Sequence, residues 1–173
     1  MNTDRILQLM KLLFWIIFII LGLRTCAGIY NNILCSLTIS REFLIKSPEV
    51  LELSRDWNHR IIDILIVIVS AAKTYLTYLV IRILTKLNLN NPFNVNTSKS
   101  LMKISYTALS IGVLSLITNI YAMWLYKIDL LTLVTDPYQL PVGQFLFLGA
   151  IIYIISLIFK KGTDLQSENE LTI

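Results

Sequence analysis

Four long apolar segments constrain this chain more than any other feature. No charged residue lies between Ile104 and Tyr126, or between Pro137 and Phe159. About 20 apolar residues in a helix cross about 30 Å of hydrocarbon. The 173-residue chain is 55% hydrophobic and 15% charged, which is too apolar for a soluble domain of its length. We therefore predict an all-α polytopic membrane protein, a four-transmembrane-helix bundle with spans at about residues 9–34, 61–84, 102–126 and 142–159.

The first apolar segment has two interpretations. Arg5 and Lys11 precede the run from Leu12 to Leu23, and a cleaved signal peptide also begins with basic residues before an apolar stretch. Arg24, however, stands where a cleavage region requires small neutral residues, and apolar sequence resumes beyond it. We expect a retained transmembrane helix.

The distribution of Lys and Arg predicts the orientation. With a cytoplasmic N-terminus, the inner flanks hold more basic residues than the outer ones, as inner flanks usually do. The middle loop decides the matter, because it carries four basic and no acidic residues from Arg82 to Lys103. We predict a bacterial cytoplasmic (inner) membrane protein with both termini inside. The sequence pI near 9.1 fits contact with anionic membrane lipid.

Two segments outside the spans have recognisable patterns. In the outer loop, Ser47, Pro48 and Glu49 suit the cap and first turn of a helix, which predicts a short extramembrane helix there. The C-terminal segment is polar and acidic. We therefore divide the chain into a membrane domain, residues 1–162, and a cytoplasmic acidic tail, residues 163–173.

Polar residues inside the first two spans follow helical spacing. Charges in a bilayer cost about 2.5–3.5 kcal/mol each on insertion scales, so polar faces should point into the bundle. We expect the two faces to meet. The second span supplies Asp63, Ser70, Lys73 and Thr77, and the first supplies Arg24, Gly28, Asn31 and Asn32.

These faces predict a candidate ligand site. Arg24 and Lys73 would line an anion or lipid-headgroup site, with Asn119 and Ser115 of the third span as further ligands and Asp63 as the one acidic residue of the site. The alternative is structural: both cations reach the interface or bond to backbone carbonyls, with Arg24 paired to Asp63. One sequence leaves both interpretations open.

Other chemistry finds little support. Cys26 and Cys35 form no CxxC motif, His59 is the only histidine, and six glycines form no phosphate-binding loop. We expect no enzymatic activity, no catalytic residue, no metal and no cofactor. A proton-coupled transporter would need a membrane carboxylate, and only Asp63 could serve.

Two segments resemble a known family. NNPFNVNTSKS, with Asn90 and Phe93, enters the third span, and LQSENELTI closes the chain. They are similar to the four-span bacterial proteins grouped as DUF2975, which carry an N-x-x-F turn before a basic helix start and end on a sequence like LQxENDLTV. Glu170 and Ile173 depart from that ending. The resemblance implies a four-span layout and no established activity. It also implies a partner, because family members are often encoded beside a small helix-turn-helix protein.

The tail is a candidate partner-binding segment. Acidic and apolar residues alternate along it, which allows docking through a few apolar anchors and complementary charge. The alternative is that the tail folds back on the basic inner loop and only caps the bundle. The candidate partner-binding residues are Leu165, Glu168, Glu170, Leu171 and Ile173 in the tail, with Lys99 and Lys103 in the inner loop.

These observations leave three function hypotheses. The first is a sensor or anchor that presents its inner loop and tail to a cytoplasmic helix-turn-helix regulator, without binding nucleic acid itself. The second is a small transporter or channel subunit that holds an anion with Arg24 and Lys73. The third is a structural subunit of a larger complex. Small residues, Ser70, Ala71, Ala72, Gly112 and Gly149, permit close helix contact within a chain or in a homo-oligomer.

Overall fold

The fold consists almost entirely of long helices in the residues that the structure describes. A computed structural model describes residues 3–41, 57–86, 94–126 and 140–170. The described ranges contain four α-helices and no strand: α1 (Thr3–Arg41), α2 (Trp57–Lys86), α3 (Val95–Tyr126) and α4 (Val142–Glu170). Each contains a segment that is long and apolar enough to cross a membrane. The predicted all-α, four-span architecture is confirmed, while the predicted helix at Pro48 lies outside the described residues.

The helices are longer than a bilayer requires. They contain 39, 30, 32 and 29 residues, which correspond to about 58, 45, 48 and 44 Å, whereas the hydrocarbon is about 30 Å thick. Each helix therefore continues past the apolar layer. This continuation matters most at α4. Its span, Val142–Gln166, passes directly into a polar end that stops at Glu170.

Consecutive helices run antiparallel. The Oγ1 atoms of Thr25 in α1 and Thr74 in α2 are 3.1 Å apart, and the rings of Phe18 and Tyr78 are 6.5 Å apart. The residue numbers rise along α1 as they fall along α2. The same holds for α3 and α4, where Ser98 contacts Ser156 and Ser105 contacts Gly149, and the end of α2 lines one cavity with the start of α3. The start of α1, the end of α2, the start of α3 and the end of α4 therefore lie together, and we call this the terminal end of the bundle.

The hydrophobic core lies among α2, α3 and α4. Buried aliphatic residues from α2 and α3 form it with Leu140, which precedes α4, and Phe145 and Ile152 of α4 pack against them. Helix α1 packs chiefly against α2 and lies at the edge of the bundle, with none of its span buried in the structure. The buried core residues are Val69, Leu76, Leu79, Ile104, Ala108, Ile111 and Leu140.

A seam of small residues joins α3 to α4. Ser98 Oγ donates to the Ser156 carbonyl at 3.2 Å, and Ser105 Oγ donates to the Gly149 carbonyl at 2.9 Å. Side-chain hydroxyls can reach the opposite backbone only when two helices are close. We call this contact the α3–α4 seam; its members on α3 are spaced by seven residues, the period of helices that pack side by side.

Two glycines set the closest approach in the seam. A Cβ atom at Gly112 would lie 2.6 Å from Leu146 Cδ2, and one at Gly149 would lie 2.7 Å from Leu109 Cγ. Both distances are too short for a real contact. The small residues flagged in the sequence at these two positions therefore make a contact within one chain, as small residues commonly do between transmembrane helices.

Candidate functional site

The structure brings together the two cations predicted to share a site. Arg24 and Lys73 lie close enough for their charges to interact across the α1–α2 contact. The neighbouring residues Thr25 and Thr74 are hydrogen bonded to each other at the same level. Both threonine hydroxyls also contact carbonyls of their own helices, those of Leu21 and Ser70. Two basic residues and two hydroxyl groups thus lie at one level of the α1–α2 contact, near the middle of the spans.

Lys73 also has an aromatic neighbour. Its Nζ atom lies 5.5 Å from the centroid of the Phe145 ring on α4, within the range of a cation–π interaction. The side chain is partly buried, whereas that of Arg24 is exposed. The Lys73 ammonium therefore connects α2 to α4, and an aromatic face offsets part of its desolvation.

Asp63 lies at a different level from these cations. It lines a groove of about 360 Å³ between α1 and α2, together with Arg60 and Asn32. Ten residues of helix separate Asp63 from Lys73, which is about 15 Å along the axis. Neither Arg24 nor Lys73 lines that groove. The predicted ligand set is thus divided between the groove near the end opposite the terminal end and the cation pair at mid-span.

Asn119 has a local structural partner. Its Nδ2 atom donates to the Leu140 carbonyl at 3.0 Å, and its Oδ1 atom accepts from the Leu140 N–H at 3.3 Å. Leu140 comes just before Pro141 and the start of α4, so its backbone groups have no partner within a helix. The amide of Asn119 satisfies both of them, and it fixes the start of α4 against α3.

The polar end of α4 is helical and its outer face is exposed. Asp164, Leu165 and Glu168 are exposed there, whereas Thr163 is 8% exposed and buried against the bundle. Of the other predicted partner-binding residues, Glu170 ends the helix, and Leu171 and Ile173 lie outside the described residues. The tail is thus continuous with a transmembrane helix for most of its length.

The two predicted inner-loop cations lie in a different place from the tail. Lys99 and Lys103 of α3 line a cavity of about 620 Å³ with Arg82 of α2, and we call this cavity the basic groove. Arg82 is not among the site residues predicted from the sequence. The sequence pattern that could have indicated it is the run from Arg82 to Lys103, which has four basic and no acidic residues. Because this run joins two antiparallel helices, the end of α2 and the start of α3 must lie close together.

Cysteine and metal chemistry gain no support from the part of the chain that is described. Cys26 is an exposed free thiol. Within the described residues, no group of three histidine, cysteine or carboxylate side chains could hold a metal ion.

Comparison with known proteins identifies the family. Residues 48–173 match the model of DUF2975, described as a protein of unknown function. The chain belongs to the DUF2975 family. The match covers α2, α3, α4 and the tail, which include the whole hydrophobic core, and it begins after α1. No curated protein and no solved structure matches this DUF2975 chain.

Proposed function

We propose that this DUF2975 member is a non-catalytic membrane anchor or sensor that presents the end of α4 to a cytoplasmic partner. One observation carries the proposal: α4 runs without a break from Val142 to Glu170, from the apolar span into the polar tail. A tail on a flexible linker would move independently of the membrane domain. A tail that is the last two turns of a transmembrane helix follows the movements of that helix.

The α3–α4 seam supports the second part of the proposal, the transmission of a signal. Contacts between the two helices extend from Asn119 and Leu140 near the opposite end to Ser98 and Ser156 near the terminal end. Because α3 and α4 pack closely over this length, positions of the two helices between two well-packed arrangements are costly in free energy. A shift of one helix end against the other is therefore transmitted along the seam. A signal received at the opposite end would shift the equilibrium between two packings and change how the tail is presented.

The exposed face of the tail suits a protein partner. Leu165 is 52% exposed between the carboxylates of Asp164 and Glu168. One apolar anchor flanked by acidic groups fits a partner with a basic surface and a small apolar pocket. A small helix-turn-helix regulator, whose DNA-binding face is basic, has that chemistry.

The proposal is tested by affinity capture from gently solubilised membranes. The full chain is compared with a chain truncated after Gly162 and with the triple variant Asp164→Asn, Leu165→Gln, Glu168→Gln. We expect the full chain to retain a cytoplasmic protein that both altered chains lose. Val95→Gln is the matched control, because Val95 is 54% exposed at the same end of the bundle.

The triple variant separates recognition from folding, since truncation also removes the buried Thr163. Recovery of the same proteins by the full chain and the triple variant would refute the role of the tail. Loss of the partner by Val95→Gln as well would show that the terminal end as a whole is recognised, which also contradicts the proposal.

A second candidate function is the binding of an anion within the membrane. The specific observation is that Arg24 and Lys73 adjoin Thr25 and Thr74, whose Oγ1 atoms are 3.1 Å apart across the α1–α2 contact. Between Asp63 of α2 and Asp164 of α4, the described sequence of α2, α3 and α4 contains no carboxylate. Two neighbouring cations in hydrocarbon are costly without a counterion. An anion drawn from solution would supply the missing negative charge.

A further inference from the structure

The basic groove at the terminal end has features of a second binding site, independent of the tail. It lies between the last turns of α2 and the first turns of α3, and Leu79 and Ile83 form its apolar part. Leu79 is 6% exposed, so the floor of the groove belongs to the hydrophobic core. The groove therefore joins a buried apolar surface to a polar opening.

The charge of the groove is positive throughout. Arg82, Lys99 and Lys103 line it from two helices, and all three side chains are exposed. None of the described residues that line the groove is acidic. Three cations that converge on one cavity are arranged as they are in sites that hold phosphate groups.

The first turn of α3 adds to this positive field. Asn94 caps the helix, since its Oδ1 atom accepts from the Asn96 N–H at 3.1 Å. Asn96 and Thr97 line the same groove. The positive end of the α3 dipole thus borders the groove.

The position of the groove along the spans distinguishes among phosphate-containing ligands. The apolar span of α2 ends at Thr85, only three residues after Arg82, and the charge-free run of α3 begins at Ile104, directly after Lys103. The cations thus lie where the hydrocarbon gives way to the headgroup region. A ligand there meets apolar side chains at one end and cations at the other, which is the profile of a phospholipid.

We propose that the basic groove binds the phosphate group of an anionic phospholipid, with Arg82, Lys99 and Lys103 as its ligands. The apolar part of the groove receives the start of the acyl chains. The bound lipid would join the end of α2 to the start of α3 at the terminal end.

The test is native mass spectrometry of the full chain in detergent, titrated with phosphatidylglycerol. The triple variant Arg82→Gln, Lys99→Gln, Lys103→Gln should bind this lipid roughly a hundredfold more weakly, from three lost charge contacts. The variant Arg82→Lys, Lys99→Arg, Lys103→Arg keeps the charges and should remain within a few-fold of wild type. The matched control is Arg5→Gln, Lys160→Gln, Lys161→Gln, which removes three exposed cations from the same end outside the groove.

Each result has a defined meaning. Equal weakening by the control variant would show diffuse attraction to charge and would overturn the groove as a site. Unchanged binding by the triple glutamine variant would do the same. Equal affinity for phosphatidylcholine, or displacement of the lipid by low-millimolar inorganic phosphate, would overturn the assignment to an anionic lipid. Capture experiments on the tail do not depend on these outcomes.

Discussion

Gly112→Ala is expected to destabilise the protein by about 1–3 kcal/mol, the usual cost of overpacking a close contact. The new Cβ atom would lie 2.6 Å from Leu146 Cδ2 and 3.1 Å from the Leu146 backbone nitrogen. The side chain can rotate away, but the backbone can move only if α4 separates from α3. The free energy of unfolding in mixed micelles, followed by circular dichroism, measures this effect.

Two further variants make the glycine experiment specific. Gly22→Ala is the matched control: Gly22 also lies in a transmembrane helix, and a Cβ atom there would meet nothing within 4 Å. We expect it to stabilise the protein by up to about 1 kcal/mol through helix propensity. Adding Leu146→Ala to Gly112→Ala removes the Cγ and Cδ2 atoms that clash, and should recover part of the loss. Equal effects of alanine at Gly22 and Gly112 would contradict the packing described for the α3–α4 seam.

Removal of both mid-span cations, in the variant Arg24→Gln, Lys73→Gln, is expected to abolish stabilisation of the protein by small anions. The probe is chloride, exchanged for gluconate at constant ionic strength. An anion bound only by the folded protein stabilises it by about 2.7 kcal/mol at a concentration of 100 Kd. The wild-type chain should therefore unfold at a temperature several degrees higher in chloride, whereas the variant should show no difference between the two salts.

The control for the chloride experiment is Arg5→Gln, Lys11→Gln, which removes two cations near the start of α1 and leaves the mid-span pair intact. It should respond to chloride as the wild type does. A wild-type chain that unfolds at the same temperature in both salts would contradict the anion site. Persistence of the chloride effect in the variant without Arg24 and Lys73 would contradict it equally.

The spans could be predicted from the sequence because hydropathy reports directly what a bilayer requires. The lengths of the helices could not, since hydropathy reports the crossing and not the hydrogen-bonded helix around it. Helix α3 begins at Val95, several residues before its uninterrupted apolar run, because Asn94 caps it there. Helix α4 continues to Glu170 because no proline or glycine follows Gly162 to end it.

The candidate site shows that the spacing of residues within one helix is insufficient to predict their contacts with other helices. The spacing predicts Asp63 and Lys73 on one polar face that meets α1. In the structure the residue next to Lys73, Thr74, makes the hydrogen bond to α1, whereas Lys73 reaches Phe145 of α4. Asn119 looked like a free ligand because its partner, the backbone of Leu140, has no signature in side-chain chemistry. A signal for the seam was present in the seven-residue spacing of Ser98, Ser105, Gly112 and Asn119 on α3 and of Gly149, Ser156 and Thr163 on α4.

Orientation is the claim on which the proposed role of the tail rests, because the partner is cytoplasmic only if the terminal end is. The direct measurement is labelling of single cysteines by a membrane-impermeant maleimide in spheroplasts, in a chain whose Cys26 and Cys35 are replaced by serine. Gly143→Cys reports the opposite end, where a new Cβ atom meets nothing within 4 Å, and Asp164→Cys reports the exposed end of α4. We expect labelling of the Gly143→Cys chain in intact spheroplasts and labelling of the Asp164→Cys chain only after permeabilisation. Labelling of the Asp164→Cys chain in intact spheroplasts would place the tail outside and contradict a cytoplasmic partner.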